Sequence, residues 1–112
     1  MQDPGCLFCK IVAGDIPAEI VFKNEVVTAF RDIQPQAPTH VLVVPNVHVA
    51  SFAQVEDPGL MQAVWCGVQQ VTQHLGLTDY RLVVNTGAEA GQTVFHWHVH
   101  ILAGRALAWP PG

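Results

Sequence analysis

The chain has 112 residues, of which 50% are hydrophobic and 12% are charged, and its formal net charge is −4. This composition predicts one compact domain spanning residues 1–112 and argues against disorder. The acidic balance without a basic run argues against a long nucleic acid as the partner, and no apolar run is long enough to span a membrane.

The N-terminal third is predicted to hold a short helix and a β-hairpin. Residues 7–12 form an apolar stretch of one or two helical turns, followed by breaker residues. Residues 19–22 and 26–31 have strand character, and the polar residues 23–25 between them predict a tight turn.

A loop, a strand and a long helix follow. Residues 32–39 carry two prolines and are predicted as loop, and the β-branched run 40–44 is predicted as a strand. Asp57 is a typical N-cap with Pro58 at the first helical position. Apolar residues then recur at steps of four and three as far as Leu75, which predicts an amphipathic helix.

The C-terminal part is predicted to add two strands around a glycine-rich loop. Strands are expected at 80–85 and 94–102, with the loop at 86–93 and an irregular, proline-rich tail at 108–112. Five strands and one long helix in this order indicate an α+β fold with a mostly antiparallel sheet.

Three histidines lie in the last predicted strand. His96, His98 and His100 are separated by single large apolar residues, so they share one face and the apolar residues share the other. Successive imidazoles would be about 7 Å apart. Such a row can act as nucleophile, proton carrier or metal ligand, because the ordinary pKa of imidazole lies near neutrality.

The loop at 85–93 leads directly into this strand. Its glycines allow backbone amides to approach an anion, and Gln92 and Thr93 add polar side chains. The loop lacks the lysine and spacing of a P-loop, and by itself it would be an ordinary hairpin loop. Its position beside three histidines favours phosphate binding.

Cys6 and Cys9 have the spacing of half a zinc site. His48 and His96 are available as two more ligands, and four protein ligands would make the zinc structural. A redox pair and two reduced thiols are the alternatives.

Cys66 is predicted to be a small core residue of the long helix. An odd cysteine count and a start without a secretory pattern indicate a reducing compartment, hence the cytoplasm.

Two polar residues flank the loop before the third strand. His40 lies at a loop-to-strand junction, where functional residues are common. Asp32 either caps the loop or accepts hydrogen bonds from ribose hydroxyls.

Together these residues resemble a known family. His96 to Leu102 fits the histidine-triad signature, in which three histidines alternate with apolar residues. Over nearly its full length the chain resembles the Hint branch of the histidine-triad (HIT) family, the nucleoside phosphoramidate hydrolases. The supporting segments are 30–40, 83–87, 91–94 and the Trp-Pro-Pro-Gly ending at 109–112. That ending favours Hint over the dinucleotide-cleaving and galactose-transferring branches.

The resemblance implies a fold and an activity. A single HIT domain would have a five-stranded antiparallel sheet, one long helix and a short N-terminal helix, and two chains would form a ten-stranded sheet as a homodimer. The activity would be hydrolysis of P–N bonds, of the adenosine 5′-monophosphoramidase type. Purine nucleoside monophosphate amides or esters would react through a covalent nucleotidyl-histidine and release AMP or GMP.

The resemblance also implies roles for particular residues. His98 would be the nucleophile, His100 would contact the phosphate and the bridging position, and His40 would complete the proton relay. Substrate binding would involve His98 and His100 together with Asp32, Ile33, Asn85, Gly91, Gln92, Thr93 and the partner-directed Trp109. Structural zinc, with no metal required for the chemistry, would be bound by Cys6, Cys9, His48 and His96.

Three positions depart from the usual family pattern. Thr93 replaces a serine and keeps its hydroxyl, Ala103 replaces a glycine, and Trp97 is larger than the usual aliphatic residue. None of these changes removes a group with an implied catalytic role.

Two other functions are compatible with the pattern. A metalloenzyme would use the three histidines as zinc ligands around a catalytic water, but same-face residues spanning about 13 Å place at most two at one ion. A nucleotide-binding module would instead act through a protein partner, with weak or incidental catalysis.

Overall fold

The computed structural model describes residues 3–111, which form a five-stranded antiparallel sheet with two α-helices. In chain order the elements are α1 (Leu7–Ala13), β1 (Ile20–Lys23), β2 (Val27–Arg31), β3 (Thr39–Pro45), α2 (Pro58–His74), β4 (Tyr80–Val83) and β5 (Val99–Ala103). Neighbouring strands follow the order β1-β2-β3-β5-β4, so β1 and β4 are the edges. The α+β prediction is confirmed. No helix within residues 3–111 is long and apolar enough to cross a membrane.

Both helices begin and end where their sequences predict. The Sγ of Cys6 caps α1 by accepting a hydrogen bond from the Cys9 amide, and Gly14 ends the helix in the left-handed conformation at φ 83°. The carboxylate of Asp57 caps α2 by accepting from the Gly59 amide at 2.8 Å, with Pro58 at the first position. Local sequence is therefore sufficient to set both helix starts.

The two faces of the sheet bury separate apolar clusters. One cluster joins α2 to β2, β3 and β5 through Val27, Ala29, Val41, Val43, Val64, Val68, Val71, Trp97, Val99 and Ile101. The other joins α1 to the opposite face through Cys6, Phe8, Cys9, Ile11, Val12, Phe30, Leu42 and Val44. Because side chains alternate along a strand, His40 and His100 fall on the α1 face.

The histidine strand is shorter than predicted. Residues 94–98 are irregular, and β5 begins only at Val99. The physical reason is a pair of hydrogen bonds to the end of β3 and the connection after it: His96 Nε2 donates to the Pro45 carbonyl at 2.8 Å, and the Trp97 amide donates to the Val49 carbonyl at 2.7 Å. Trp97 and Val99 still face α2, as the alternation predicts.

The prediction that Cys66 is a core residue is wrong. Its thiol is exposed, whereas the buried residues of α2 are Val64, Gly67, Val68, Val71 and Thr72. Position 66 lies outside the stripe that these residues form. A small apolar residue inside an amphipathic pattern can therefore face solvent when larger residues cover the core.

Gly67 is expected to be intolerant of a side chain. A Cβ at this position would lie 2.8 Å from Val27 Cγ2, and Val27 is fully buried. Gly67→Ala should lower the free energy of unfolding by about 1–2 kcal/mol, because the clash outweighs the gain in helix propensity of about 1 kcal/mol. Urea unfolding measures this change, with the exposed Gln73→Ala as the control. A stabilised Gly67→Ala chain would contradict this description of the contact between α2 and β2.

Candidate active site and metal centre

His98 is held in one protonation state by the backbone. Its Nδ1 lies 2.7 Å from the His96 carbonyl oxygen, so Nδ1 carries the proton and donates it there. Burial lowers the pKa of His98, which keeps the ring neutral. The remaining nitrogen, Nε2, therefore has a free lone pair at the surface of a cleft. That is the state an imidazole needs in order to act as a nucleophile.

A hydrogen-bond chain orients His40 and His100. The backbone N–H of Gln36 donates to His40 Nδ1 at 3.0 Å, so the proton of His40 is on Nε2. His40 Nε2 in turn donates to His100 Nδ1 at 2.9 Å. His100 therefore carries its own proton on Nε2, where it is available to a bound molecule. One backbone amide thus determines the tautomers of two imidazoles.

Asp32 supplies negative charge beside this chain. Its Oδ2 lies 3.6 Å from His40 Nε2, and its Oδ1 accepts from the Gln34 amide at 2.8 Å. Burial lowers the pKa of His40, and the Asp32 carboxylate offsets part of that shift. Burial, and then the neighbouring His98 and His40, lower the pKa of His100 to about 4. The three imidazoles are thus neutral near pH 7.

A cleft of about 360 Å³ opens beside the histidines. Its lining combines apolar side chains of α1 and the sheet with a few polar groups, as small-molecule sites commonly do. The lining includes Leu7, Phe8, Ile11, Ile16, Phe30, Asp32, Ile33, Leu42, Thr93, Val94, His98 and His100. Five of the residues implied in substrate binding thus line one cleft: Asp32, Ile33, Thr93, His98 and His100.

The other implied residues of the glycine-rich loop lie outside this lining. Gln92 is buried, and its Nε2 donates to the carbonyls of Ala50 and Val94 at 2.8 and 3.1 Å, which uses both amide hydrogens. Its Oε1 accepts from the Gly87 amide at 2.9 Å. The Gln92 side chain therefore holds the loop to residues 50, 87 and 94.

Asn85 and Gly91 contact one another within the same loop. Asn85 Nδ2 donates to the Gly91 carbonyl at 3.5 Å, and Gly91 is in the left-handed conformation at φ 102°. This arrangement shapes the loop before it reaches Thr93.

The C-terminal tail is fixed to β4. Arg81 Nη2 donates to the carbonyls of Leu107 and Ala108 at 3.4 and 3.0 Å. Trp109 follows with 83% of its surface exposed and does not line the cleft of its own chain. Gly112, the last residue of the Trp-Pro-Pro-Gly ending, lies outside the described residues.

The four implied metal ligands form a cluster. Their ligating atoms, from Cys6, Cys9, His48 and His96, all lie within 4.8 Å of one another. His96 Nδ1 is 3.2 Å from Cys6 Sγ and 3.5 Å from Cys9 Sγ, and His48 Nδ1 is 3.5 Å from Cys9 Sγ. The structure thus brings together residues that are far apart in the chain.

The donor set fits a zinc ion. His96 Nε2 donates its proton to the Pro45 carbonyl, which leaves the Nδ1 lone pair directed at the thiols. Burial raises the pKa of the Cys6 thiol, so a thiolate there requires a positive charge. Two thiolates and two imidazoles are a common set of structural zinc ligands. All four positions are filled by the protein, which leaves none for a catalytic water.

Asp32, His40 and His100 form a second cluster within 4.8 Å, but their hydrogen bonds disfavour a metal. The Gln36 amide places the proton of His40 on Nε2, the atom that would have to bind the ion. His96 meanwhile faces the cysteines. The structure therefore divides the histidine row between two sites and does not support the metalloenzyme alternative.

Comparison with known proteins agrees with this arrangement. The profile described as the HIT domain matches residues 13–107. The chain belongs to the HIT family. It is 46% identical to an uncharacterised HIT-like protein of Synechococcus elongatus over 95% of this chain and 96% of that relative. It is 40% identical to a 14 kDa zinc-binding protein of Zea mays, covering all of this chain and 91% of that one.

Solved HIT structures share the fold closely. A HIT family hydrolase from Legionella pneumophila superposes with a TM-score of 0.91 at 46% identity, over 96% of this chain and 100% of that chain. A histidine triad nucleotide-binding protein from Candida albicans superposes with a TM-score of 0.83 at 31% identity, over 96% and 85% of the two chains.

Sequence reasoning missed three contributors to this HIT site. The Gln36 amide acts through its backbone, so its side chain gives no signal. Arg105 Nε donates to the Gln36 carbonyl at 2.9 Å and secures that loop from the far end of β5. Phe8 packs against both His96 and His98. Its position between the two cysteines is the one sequence signal that pointed to it.

The stability of this HIT domain should fall in acid through His100. Its pKa is about 4 in the folded chain and about 6.5 in the unfolded chain. Because the unfolded chain binds more protons in that window, the free energy of unfolding falls as the pH drops from about 6.5 towards about 4. We expect a loss of roughly 2 kcal/mol, which includes a reduction for solvent screening at the partly exposed ring.

Urea unfolding of the wild type and of His100→Asn at about pH 7.5 and about pH 4.5 measures this pH-dependent loss of unfolding free energy. The other buried imidazoles and the metal site are common to both chains, so the difference between the two losses isolates His100. Equal losses in the two chains would contradict the assignment.

Proposed function

We propose that the protein is a purine nucleoside phosphoramidate hydrolase of the Hint branch, which releases AMP or GMP. The observation that carries the proposal is the fixed tautomer of His98, whose unprotonated Nε2 lines the cleft. Membership of a family of nucleotide-binding hydrolases and transferases supports it. So do the hydrolase and nucleotide-binding descriptions of the superposed Legionella and Candida proteins.

The cleft supplies the binding groups that such a substrate needs. The apolar side chains of α1 and the sheet would contact the purine, with the 89% exposed Ile33 closing over it. Asp32 would accept hydrogen bonds from the ribose hydroxyls. The phosphate would then lie beside His98 and His100, and Thr93, which also lines the cleft, would add a hydroxyl.

The first chemical step is a displacement at phosphorus. His98 Nε2 attacks, a bond between nitrogen and phosphorus forms, and the bond from phosphorus to the leaving amine breaks. The leaving nitrogen takes up a proton from solvent and departs as a neutral amine, while the Nε2–H of His100 donates a hydrogen bond to a phosphoryl oxygen and stabilises the charge there. His40, already donating to His100 Nδ1, holds that ring in position throughout.

The second step returns the enzyme to its starting state. Water attacks the phosphorus of the nucleotidyl-His98 intermediate, and the proton of the water is released to solvent. The bond between phosphorus and His98 Nε2 breaks, and the nucleoside monophosphate leaves. The lowered pKa of His100 keeps its ring neutral, and the hydrogen bond from His40 keeps its proton on Nε2, where it can be donated to the phosphoryl group in both steps.

Mass spectrometry of the chain during turnover tests the proposal. Purified protein is mixed briefly with an adenosine 5′-phosphoramidate and quenched in alkali, because a phosphorus–histidine bond is labile to acid. We expect a transient mass increase of one AMP on the peptide that contains His98, together with free AMP. AMP binding with neither adduct nor turnover would instead identify a nucleotide-binding module that acts through a protein partner.

We propose that Cys6, Cys9, His48 and His96 hold structural zinc, as their geometry and the zinc-binding maize relative suggest.

The whole chain, residues 1–112, would be one HIT domain. Cys6, Cys9 and Cys66 form no disulfide, which agrees with a reducing compartment, and we place the protein in the cytoplasm.

We also propose a homodimer formed through β4. This edge exposes Tyr80 and Leu82, whereas the other edge, β1, is interrupted by an irregularity in its pairing. Two β4 strands paired antiparallel would make one ten-stranded sheet. Arg81 fixes the tail to the same edge, so Trp109 would emerge close to the partner's cleft.

A charge on this edge should dissociate the dimer. Leu82→Lys places an ammonium group from each chain on the same region of the sheet face, where the two edge strands would meet, and is expected to raise the dimer dissociation constant by at least about tenfold. Sedimentation velocity measures the association, and Ile20→Lys on the β1 edge is the matched control. A dimer weakened by Ile20→Lys and not by Leu82→Lys would place the interface at β1 instead.

A further inference from the structure

We infer that Phe8 couples the metal centre to the nucleoside cleft, so that the metal and the nucleotide bind cooperatively. The inference rests on the proposed function, because it takes a nucleoside monophosphate as the ligand of the cleft. It assigns to a side chain outside the histidine triad the task of positioning His98.

One short helix forms part of both sites. Cys6 caps α1 and Cys9 lies in its first turn, so both thiols of the metal cluster belong to this helix. Leu7, Phe8 and Ile11 of the same helix line the cleft. Any shift of α1 towards or away from His96 therefore moves the wall against which the purine would pack.

Phe8 is the direct contact between the two sites. Its ring centroid lies 5.1 Å from that of His98, edge to face at 90°, and 6.0 Å from that of His96. Phe30 packs on it at 5.3 Å, and only 5% of Phe8 is exposed. A second link runs through the backbone, since the His96 carbonyl accepts the proton of His98 Nδ1.

The metal ligands would restrain a helix that is too short to persist alone. Helix α1 has seven residues, and isolated helices of fewer than about 12 residues are marginal in water. With the ion bound, Cys6 and Cys9 are tied to His48 and His96. Without it, the helix is retained by apolar packing against Phe30, Leu42 and Val44 and by the hydrogen bond from Lys23 Nζ to the Val12 carbonyl. The sheet and α2 form a separate cluster that does not include α1, so they persist in either state.

Linkage makes the coupling measurable in both directions. If the bound ion tightens AMP binding by a given factor, AMP must tighten binding of the ion by the same factor. We expect about a tenfold effect, within the range commonly found for coupled sites. The reciprocal measurement needs no catalytic turnover and is therefore independent of the chemistry.

The experiment measures the AMP dissociation constant of the zinc-loaded and zinc-free protein by calorimetry, and the zinc affinity by chelator competition with and without AMP. Equal factors of about ten support the inference. The same AMP affinity in both forms would overturn it. Loss of the circular dichroism of the sheet on chelation would also overturn it, because the metal would then act through global folding. Failure of the zinc-loaded protein to bind AMP would instead remove the proposed function, and the inference with it.

A Phe8→Leu variant tests the role of the ring itself. Leucine keeps the helix and an apolar side chain but loses the edge contact with His98. We expect unchanged zinc content, a coupling factor close to one, and exchange broadening of the His98 ring nitrogen signals in NMR. Phe22→Leu is the matched control, since Phe22 packs against the α2 cluster on the other face of the sheet and does not line the cleft. A tenfold coupling retained by Phe8→Leu would show that the link does not run through this ring.

Discussion

Replacing His98 by alanine is expected to reduce phosphoramidate turnover by about 10⁴-fold or more, the scale seen when a catalytic nucleophile is removed. The physical reason is specific to this ring. The Nδ1 of His98 donates its proton to the His96 carbonyl. Its Nε2 is therefore unprotonated and faces the cleft. His100 carries its proton on Nε2, so it cannot replace His98 as the nucleophile without giving up that proton.

The loss should appear in kcat, because the groups proposed to bind the nucleoside remain. We expect the AMP dissociation constant of His98→Ala to stay within about threefold of the wild type, since the apolar lining and Asp32 are unchanged. No nucleotide adduct should form. Stopped-flow kinetics and mass spectrometry measure the two effects, and His98→Asn provides a second, more conservative variant.

The matched control is His74→Ala, at the exposed C-terminal end of α2. Its kinetics should match those of the wild type. Full turnover by a folded His98→Ala chain would remove His98 as the nucleophile and, with it, the proposed mechanism.

Cys9→Ser is expected to abolish stoichiometric zinc binding and lower the free energy of unfolding by about 4 kcal/mol. That value corresponds to losing a ligand present at about a thousand times its dissociation constant. For a chain of this size it amounts to a fall in melting temperature of roughly 15 °C. Cys9 lies within 3.5 Å of both imidazoles of the cluster, so its loss breaks two of the closest ligand pairs.

Cys66→Ser is the matched control, because Cys66 is exposed in α2 and remote in the fold from the metal ligands. It should leave the zinc content and melting temperature unchanged. Metal analysis and calorimetry on zinc-loaded samples measure both. Zinc retained at one ion per chain in Cys9→Ser would contradict the four-ligand assignment.

Local sequence was sufficient to predict most of the fold. Asp57 and Pro58 mark the start of α2 because capping bonds involve neighbouring residues only. The alternation around Trp97 and Val99 predicted which side chains face α2, because the two faces of a strand follow from chain geometry. The start of β5 was not predictable in this way, since the Val49 and Pro45 carbonyls that hold residues 96–97 lie about fifty residues earlier in the chain.

The sequence by itself determined that three histidines alternate along one segment and that two cysteines stand three positions apart. Only the tertiary structure decided which chemistry each imidazole can perform. Which ring nitrogen keeps its proton depends on backbone groups that folding brings near: the Gln36 amide for His40, the Pro45 carbonyl for His96 and the His96 carbonyl for His98. These groups are present in every residue alike, so the residue pattern cannot show which of them will meet a histidine. Their placement gives the three histidines of one row the states that their proposed roles require, as a metal ligand, a nucleophile and a hydrogen-bond donor.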